Sequence, residues 1–354
     1  MVGESLKEIR VLSRTGKLSR AMEVKLNSKV FRTPIYFPSI SSYGLRFTLW
    51  DLLHFLEFHS RPFALVSAYD LYRLEEEKRA ELFSKIKRYM EKGVLFLDSG
   101  GYESSWKEDQ RWDIDSYKSM MDRMRKFPVD VYSSFDSFKG DSMSDGDYEK
   151  QTYNNILESS VYLKNNFFVP ILHQTTPVKL VSLVGRFVKK YPQLCDWIAV
   201  AERDCGAGLE DRMETIVLIR KILDDGNSKK FLHILGCGDP RSILAFSYCG
   251  VDSFDSTDWA KRVMNPSNHS SHHLSHLNLI DCTCYVCTSS KFGGDYYEKV
   301  LLHNLLYYQL FMDNIQSLIQ NDILRDYLVE HIGDKVVKQL DLILDSYLGG
   351  AGSM

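Results

Sequence analysis

One stretch of the chain combines strand character with the residue types of an active site. Residues 94–97 are apolar, and Asp98, Ser99, two glycines and Tyr102 follow at once. A buried parallel strand delivers polar groups to its carboxyl end, where α/β folds place their sites. Asp98 could act there as a general base or bind the edge of a heterocycle, and Tyr102 offers a flat face for stacking. The stretch is a candidate active site, and the support for this interpretation depends on the other motifs in the chain.

A second group of acids lies at residues 250–258, where Asp252, Asp255 and Asp258 fall at the end of a predicted strand. A carboxylate at a strand end can attack an electrophilic sugar carbon, as in glycosyl transfer. The same composition also suits a plain turn. Lys261 and Arg262 are the nearest cations to Asp255, and they either contact phosphate in a bound nucleic acid or are ordinary surface charges.

Three cysteines and a histidine have the spacing of a metal site. Cys282, Cys284 and Cys287 are followed sixteen positions later by His303. Three thiolates and one imidazole form a closed structural Zn²⁺ site, which would hold the C-terminal helices to the rest of the fold. Buried thiols beside an unrelated histidine are the alternative. A further set could recruit a second metal or form a solvated loop: His269, His272, His273 and His276.

The elements that must position these groups alternate between strands and helices. Apolar runs that end in polar residues occur at 63–67, 94–97, 129–135, 168–172, 197–200, 231–235 and 251–254, with amphipathic helices between them. This pattern predicts a parallel sheet closed into a (β/α)8 TIM barrel, with a β hairpin within 17–40 capping it. We expect the barrel core and its N-terminal β segment at 1–260, an inserted zinc-binding subdomain with C-terminal helices at 261–348, and a flexible tail at 349–354.

Length and composition suit this fold and limit the partners. The 354 residues are 44% hydrophobic, enough for a barrel with insertions. A net charge of −3 and a pI near 6.4 give no global basic surface, so a nucleic acid would have to bind a local patch. With no signal peptide or membrane span in the sequence, and seven cysteines that suit a metal better than disulfides, we expect a soluble cytoplasmic protein.

Taken in order, these motifs resemble those of the tRNA-guanine transglycosylase superfamily, which exchanges guanine for a 7-deazaguanine. The resemblance runs from about residue 16 to 310. It rests on residues 14–18 with 33–38 (the family's N-terminal β segment), 97–102 (its DSGG motif), 135–136 (its second acid), 233–240, 250–255, and the zinc signature with 303–305.

The resemblance implies a role for each site residue. Asp255 would be the nucleophile that attacks C1′ and forms a covalent glycosyl intermediate, and Asp98 the general acid and base. Asp136 would accept hydrogen bonds from N1–H and the amino group of the base, Gln174 would meet its O6, and Tyr102 would stack on it. Ser99, Glu202 and Gly236 complete the expected substrate-binding set, with a 7-deazaguanine base and a tRNA or DNA acceptor as partners.

Three departures from the family pattern point to a divergent branch. Residues 201–203 are Ala-Glu-Arg where members usually carry Gly-Gly-Leu, which leaves the 7-substituent open. Residues 256–262 lack the bacterial anticodon-reading motif, so the acceptor stays open between tRNA, DNA and another polymer. The cysteine-to-histidine spacing is also short, and no RNA-binding PUA domain fits. The alternatives are a non-catalytic accessory subunit and an enzyme acting on a non-polynucleotide acceptor. A homodimer or heterodimer is expected by analogy alone.

Overall fold

The computed structural model describes residues 7–15, 18–42, 44–59, 62–124, 127, 129–139, 142–162, 166–225, 229–289 and 295–348. The tail predicted at 349–354 and residues 16 and 17 of the first motif lie outside these ranges.

The strands are β1 Lys7–Thr15, β2 Ser19–Leu26, β3 Lys29–Thr33, β4 Ile35–Ile40, β5 Phe63–Ser67, β6 Val94–Asp98, β7 Val131–Ser133, β8 Phe167–Val169, β9 Ile171–Leu172, β10 Trp197–Ala201, β11 Phe231–Leu235, β12 Ser253–Ser256, β13 Arg262–Met264 and β14 Ser271–His273. The α-helices are α1 Leu49–Phe58, α2 Ala68–Tyr72, α3 Glu76–Met90, α4 Gly101–Trp106, α5 Ile114–Met124, α6 Asp145–Ser160, α7 Pro177–Lys190, α8 Leu209–Asp224, α9 Pro240–Tyr248, α10 Tyr285–Thr288, α11 Tyr296–Gln320, α12 Leu324–Ile332 and α13 Asp334–Leu348.

Within the described ranges, β4 to β12 form one parallel sheet in the order β8-β7-β6-β5-β4-β12-β11-β10-β9. β8 and β9 are two pieces of one extended segment on either side of Pro170, which has no N–H to give to a ladder. The carbonyl of Val169 accepts from Ser134 N at 2.9 Å, and that of Pro170 accepts from Ala199 N at 2.9 Å. This segment therefore joins both edges of the sheet, and the predicted (β/α)8 barrel is confirmed.

The structure places one strand in the barrel that the sequence pattern assigns to the N-terminal β segment. Ile35–Ile40, expected in the N-terminal β segment, pairs in parallel with β12 on one side and β5 on the other. It follows β3 with no intervening helix, so the alternation of strands and helices does not reveal it. All six of its residues are buried, as a barrel strand requires.

An antiparallel sheet of β1, β2 and β3 closes the N-terminal end of the barrel. Met22, Val24 and Phe31 from this sheet join the aromatic barrel interior, which includes Phe96 and Trp197. An ion pair between Lys29 Nζ and Asp130 Oδ2 at 2.7 Å fastens the sheet beside the start of β7. With this end covered, the carboxyl ends of the strands form the open face.

A buried ion cluster also lies at the N-terminal end. Asp252 accepts from Arg20 Nε at 2.8 Å and Nη2 at 2.7 Å, from Arg220 Nη1 at 3.3 Å and from Leu232 N at 2.8 Å. Asp224 Oδ1 accepts from the same two arginines at 3.1 and 2.7 Å. Asp252 was expected with Asp255 at one strand end, but it precedes β12 and has a structural role.

The outer helices follow the amphipathic pattern. In α7, the Thr176 hydroxyl caps the first turn, Pro177 suits the first helical position, and Leu180, Leu183, Val184 and Phe187 are buried on one face. α11 packs beside β4 as the eighth barrel helix, so the segment from β13 to α10 is inserted between the last strand and its helix. α12 and α13 pack on α9 and α8. In the part of the chain that the structure describes, no helix is long and apolar enough to cross a membrane.

Candidate functional site

The carboxyl ends of the barrel strands surround a cavity of about 330 Å³. Six residues selected from the sequence line it: Asp98, Tyr102, Asp136, Glu202, Gly236 and Asp255. Ser99 is fully buried behind Asp136, and Gln174 lines a neighbouring cavity. We call the first cavity the reaction cavity.

The turn after β6 places Asp98 at the cavity wall. Gly100 has a φ of +79°, a left-handed conformation that glycine adopts without strain, and its N–H donates to Asp98 Oδ2 at 2.9 Å. A side chain on Gly101 would overlap the Asp136 carboxylate. The two glycines thus let the chain turn tightly between two acids.

Asp98 lies in surroundings that favour its protonated form. Burial is the main cause that raises the pKa of Asp98 well above its usual value, and the nearby carboxylates Asp136, Glu103 and Asp255 raise it further. The hydrogen bond from Gly100 N opposes this shift. A carboxylic acid that keeps its proton can serve as a general acid.

Asp255 has a different environment, because three donors hold its carboxylate. Ser39 Oγ donates to Oδ2 at 2.6 Å, while Gly236 N and His233 Nε2 lie 3.1 Å from Oδ1. His233 Nδ1 lies 2.8 Å from Ser253 Oγ, so the histidine can donate to Asp255 while accepting from Ser253. Both carboxylate oxygens are fixed at the cavity wall, as a positioned nucleophile requires.

Asp136 is the centre of a hydrogen-bonded chain of polar side chains. Ser99 Oγ donates to its Oδ1, and His173 Nε2 lies 3.2 Å from its Oδ2. The other nitrogen of His173 lies 2.7 Å from Asp204 Oδ2. Burial would lower the pKa of His173, but the two carboxylates raise it to about 9. Burial likewise opposes ionisation of Asp136, yet hydrogen bonds from His173 and Ser99 lower its pKa overall, so Asp136 is an anion that accepts hydrogen bonds.

His173 lines the reaction cavity, although the sequence motifs select its neighbour Gln174 instead. It follows β9 directly and points into the reaction cavity, whereas its neighbour Gln174 does not line that cavity. Adjacent residues in extended backbone point to opposite sides, so only one of two polar neighbours at a strand end can enter the cavity. The sequence signal was the His-Gln pair, which does not show which of the two enters.

The cavity wall carries more acid than the motifs indicated. Glu103 and Asp258 line it together with the predicted acids, and Ser41 Oγ donates to Glu103 Oε1 at 2.5 Å. Burial, with Asp70 nearby, raises the pKa of Glu103 to about 7. Burial also raises the pKa of Glu202, although Arg212 donates to it at 2.6 Å and opposes the shift. Glu103 directly follows the predicted Gly-Gly-Tyr turn, and this proximity was the available signal.

Tyr102 stands at the edge of the cavity and is 42% exposed. The guanidinium carbon of Arg203 lies 5.1 Å from the centre of its ring and 4.7 Å from that of Phe138. These distances are typical of cation–π contacts. The Ala-Glu-Arg departure thus places a cation against the aromatic side chain that was expected to stack on the base.

The cluster of cysteines and histidine comes together as its spacing predicts. The sulfur atoms of Cys282, Cys284 and Cys287 lie 3.7, 3.6 and 3.4 Å from His303 Nδ1. Tetrahedral zinc with usual bond lengths separates sulfur from nitrogen by about 3.6 Å. His303 Nε2 lies 2.7 Å from the carbonyl of Met264, which leaves Nδ1 as the ligand atom. The four side chains can hold a metal ion.

The histidine loop forms no second metal cluster among the described residues. His269, considered as part of a solvated loop, is buried, with its ring nitrogens 2.8 Å from Tyr307 Oη and 2.6 Å from Tyr327 Oη. It therefore links the inserted segment to α11 and α12. Arg262 is exposed, and its Nε lies 3.9 Å from Asp258 Oδ1.

The chain is similar to a queuine tRNA-ribosyltransferase from Chlamydia abortus (strain DSM 27085 / S26/3), with 34% identity over 176 residues. The match covers 43% of this chain and 45% of the relative, so the chain spans less than half the length of the curated relative it matches. No protein-family model matches the chain. The curated match supports the relationship to the tRNA-guanine transglycosylase superfamily that the motifs indicate.

Proposed function

We propose that the protein is a pentosyltransferase that exchanges guanine for a 7-deazaguanine base in a nucleic acid. The observation that carries this proposal is the pairing of Asp98 and Asp255 in one cavity with unlike surroundings. Two carboxyl groups, one protonated and one held as an acceptor, are what a retaining glycosyl transfer uses. The match to a queuine tRNA-ribosyltransferase supports the same chemistry.

In the first step, an Asp255 oxygen attacks C1′ of the target nucleoside while the bond from C1′ to the guanine nitrogen breaks. The departing base takes the bonding electrons, and Asp98 gives it a proton. An aspartyl glycosyl ester and free guanine result. Hydrogen bonds from Ser39, His233 and Gly236 hold the nucleophile in position.

In the second step, the incoming base replaces guanine. Asp98, now ionised, takes a proton from a ring N–H of the new base, and that nitrogen attacks C1′. The ester bond breaks and its electrons return to Asp255, so both carboxyl groups regain their starting states. Two inversions at C1′ preserve the configuration of the sugar.

Recognition of the base is proposed for the chain of groups around Asp136. Its carboxylate, oriented by Ser99 and His173, would accept from N1–H and the amino group of guanine. Tyr102 would cover one face of the heterocycle, and Glu202 and Gly236 would border the side where a 7-substituent lies. A non-catalytic accessory subunit would need no such pair of acids.

We also propose that the metal of the Cys3His cluster is Zn²⁺ with a structural role, since four protein ligands leave no coordination position for a substrate. Asn304, next to His303, supports the same region through hydrogen bonds to Trp259 O at 2.7 Å and from Met264 N at 3.0 Å. The metal would therefore stabilise the inserted segment against α11.

The test is the incorporation of labelled guanine into tRNA, single-stranded DNA and double-stranded DNA by the full chain. We expect label in one polymer with the wild type and none with Asp255→Ala. Incorporation by Asp255→Ala at the wild-type rate would contradict the proposed nucleophile. If the folded wild type incorporates no label into any polymer, the accessory-subunit and non-polynucleotide alternatives take precedence.

A further inference from the structure

His173 is held at the wall of the reaction cavity with both ring nitrogens facing carboxylates. Nδ1 lies 2.7 Å from Asp204 Oδ2, a distance typical of a charge-assisted hydrogen bond, and Nε2 lies 3.2 Å from Asp136 Oδ2. An ionised carboxylate only accepts hydrogen bonds, so both nitrogens are donors and the ring is positively charged. The raised pKa of His173, about 9, is consistent with this state.

The contact between His173 and Asp136 is the longer of the two, and both residues line the reaction cavity. Hydrogen bonds between a charged nitrogen and a carboxylate are usually about 2.7–2.9 Å long. At 3.2 Å, the hydrogen on Nε2 can be shared with a second acceptor, as in a bifurcated hydrogen bond. A base bound in the cavity can supply that acceptor.

Together the two side chains offer one donor and then two acceptors. His173 Nε2 is the donor, Asp136 Oδ2 beside it is the first acceptor, and Asp136 Oδ1 is the second. The Watson–Crick edge of guanine carries the opposite order, with O6 as acceptor followed by two donors, N1–H and the amino group. The site therefore offers the pattern that cytosine offers guanine in a base pair. A 6-amino purine would place a donor against the His173 donor and leave both without a partner.

Gln174, which the sequence motifs assign to O6, lies on the other side of the strand end. Its side chain lines the neighbouring cavity instead of the reaction cavity. Its amide oxygen accepts from Thr175 N at 3.4 Å. Of the two neighbours, His173 is the one that presents a donor beside Asp136 on the cavity wall.

We propose that His173 is a further catalytic residue of the exchange, which donates from Nε2 to O6 of the base and stabilises the negative charge that develops as the bond to C1′ breaks. This inference rests on the proposed function. The developing charge is delocalised onto O6, where a preorganised cation in a buried site is most effective. Guanine and a 7-deazaguanine both carry O6, so one donor serves the leaving and the incoming base. Asp98 still supplies the proton, and His173 keeps its own.

The first experiment measures the binding of free bases to the full chain without an acceptor polymer. Guanine and 6-thioguanine share the N1–H and amino donors, but sulfur is a weak acceptor. The wild type should bind guanine roughly 10- to 150-fold more tightly, the range of one hydrogen bond to a charged group. In His173→Asn, whose amide reaches the position of Nδ1 but not that of Nε2, this preference should fall below about threefold.

The matched control is the neighbouring variant Gln174→Ala, which should keep the wild-type preference for guanine over 6-thioguanine. A purely structural role of His173 would weaken the binding of both bases by the same factor and leave the preference unchanged. An unchanged preference in His173→Asn, or its loss in Gln174→Ala, would therefore overturn the proposal.

The second experiment separates the position of the donor from its charge. The amide of His173→Gln reaches the position of Nε2 without a charge. We expect kcat for base exchange to fall roughly 10²- to 10³-fold in His173→Asn, the effect of removing one such donor, and to lie between that value and the wild type in His173→Gln. Wild-type kcat in His173→Asn would overturn the catalytic role.

The two experiments distinguish this inference from the proposed function. If the wild type prefers guanine through His173 yet exchanges no base in any polymer, the proposed function and the catalytic role fail, and the recognition of O6 stands. If the wild type exchanges bases and neither the preference nor kcat depends on His173, the proposed function stands and this inference fails.

Discussion

Replacing Asp252 by asparagine should separate the residues that stabilise the fold from those that do the chemistry within the acidic segment 250–258. Asp252 and Asp255 differ by three positions, yet Asp252 lies in the buried ion cluster and Asp255 lines the reaction cavity. The new amide could still accept from Leu232 N, but Arg20 and Arg220 would lose the Asp252 carboxylate while they keep Asp224. Breaking a buried ion pair by removing one partner costs about 3–5 kcal/mol.

Urea titration of the full chain measures this cost. Because one backbone hydrogen bond survives, we expect the free energy of unfolding to fall by about 3 kcal/mol, a large part of the roughly 5–15 kcal/mol typical of folded proteins. The folded fraction should retain wild-type kcat. Asp255→Asn should give the opposite pattern, with stability within about 1 kcal/mol of the wild type and no exchange.

A compensating variant checks the electrostatic cause. The double variant Arg220→Met/Asp252→Asn removes the positive charge of Arg220 together with the negative charge of Asp252, and Arg20 keeps its ion pair with Asp224. This double variant should recover at least half of the lost stability. A loss below about 1 kcal/mol for Asp252→Asn alone, or no recovery in the double variant, would refute the reasoning.

Three further outcomes are expected. Cys284→Ser should lower both the zinc content and the melting temperature, while the buried control Cys195→Ser keeps its zinc; an unchanged melting curve in metal-free protein would remove the structural role. The folded pKa of His173, about 9, exceeds its ordinary value of 6.5, so its stabilisation of about 3 kcal/mol is present below pH 6.5 and is lost as pH rises through 9. Unfolding free energies measured from pH 6 to 10 should show this decline in the wild type but not in His173→Gln, and equal slopes would contradict it. Asp98→Asn should slow base exchange by about 10²- to 10⁴-fold, and the wild-type rate should fall as pH rises through the elevated pKa of Asp98; a rate within threefold of the wild type would exclude Asp98 as the acid.

The barrel was predictable because all but one of its strands are apolar runs that end in polar residues, a pattern visible in the local sequence. β4 was the exception, since it follows β3 without a helix and its place in the barrel depends on pairing with β12 and β5. The metal cluster was predictable for a similar reason, because four ligand side chains at short spacing restrict the geometry. Its support from Met264 and Asn304 was not, because these contacts cross about 40 positions of the chain.

Within the site, residue identity was easier to predict than orientation. Asp98, Asp136 and Asp255 were selected because they end strands, and the structure brings all three to one cavity. Whether His173 or Gln174 enters the cavity depends on the exact end of β9, which no local pattern gives. The burial of His269 depends on tyrosines 38 and 58 positions away, so a polar loop was the natural interpretation.

The most direct test of the central claim is to locate the covalent bond. The full chain is incubated with the acceptor polymer and a 7-deazaguanine, quenched in acid, and digested, and the peptides are sequenced by mass spectrometry. We expect the mass of a nucleotide fragment on Asp255 in the wild type and no adduct in Asp255→Ala, while Asp252→Asn still forms it. An adduct on another residue, or exchange that proceeds with no adduct at any time point, would contradict the account.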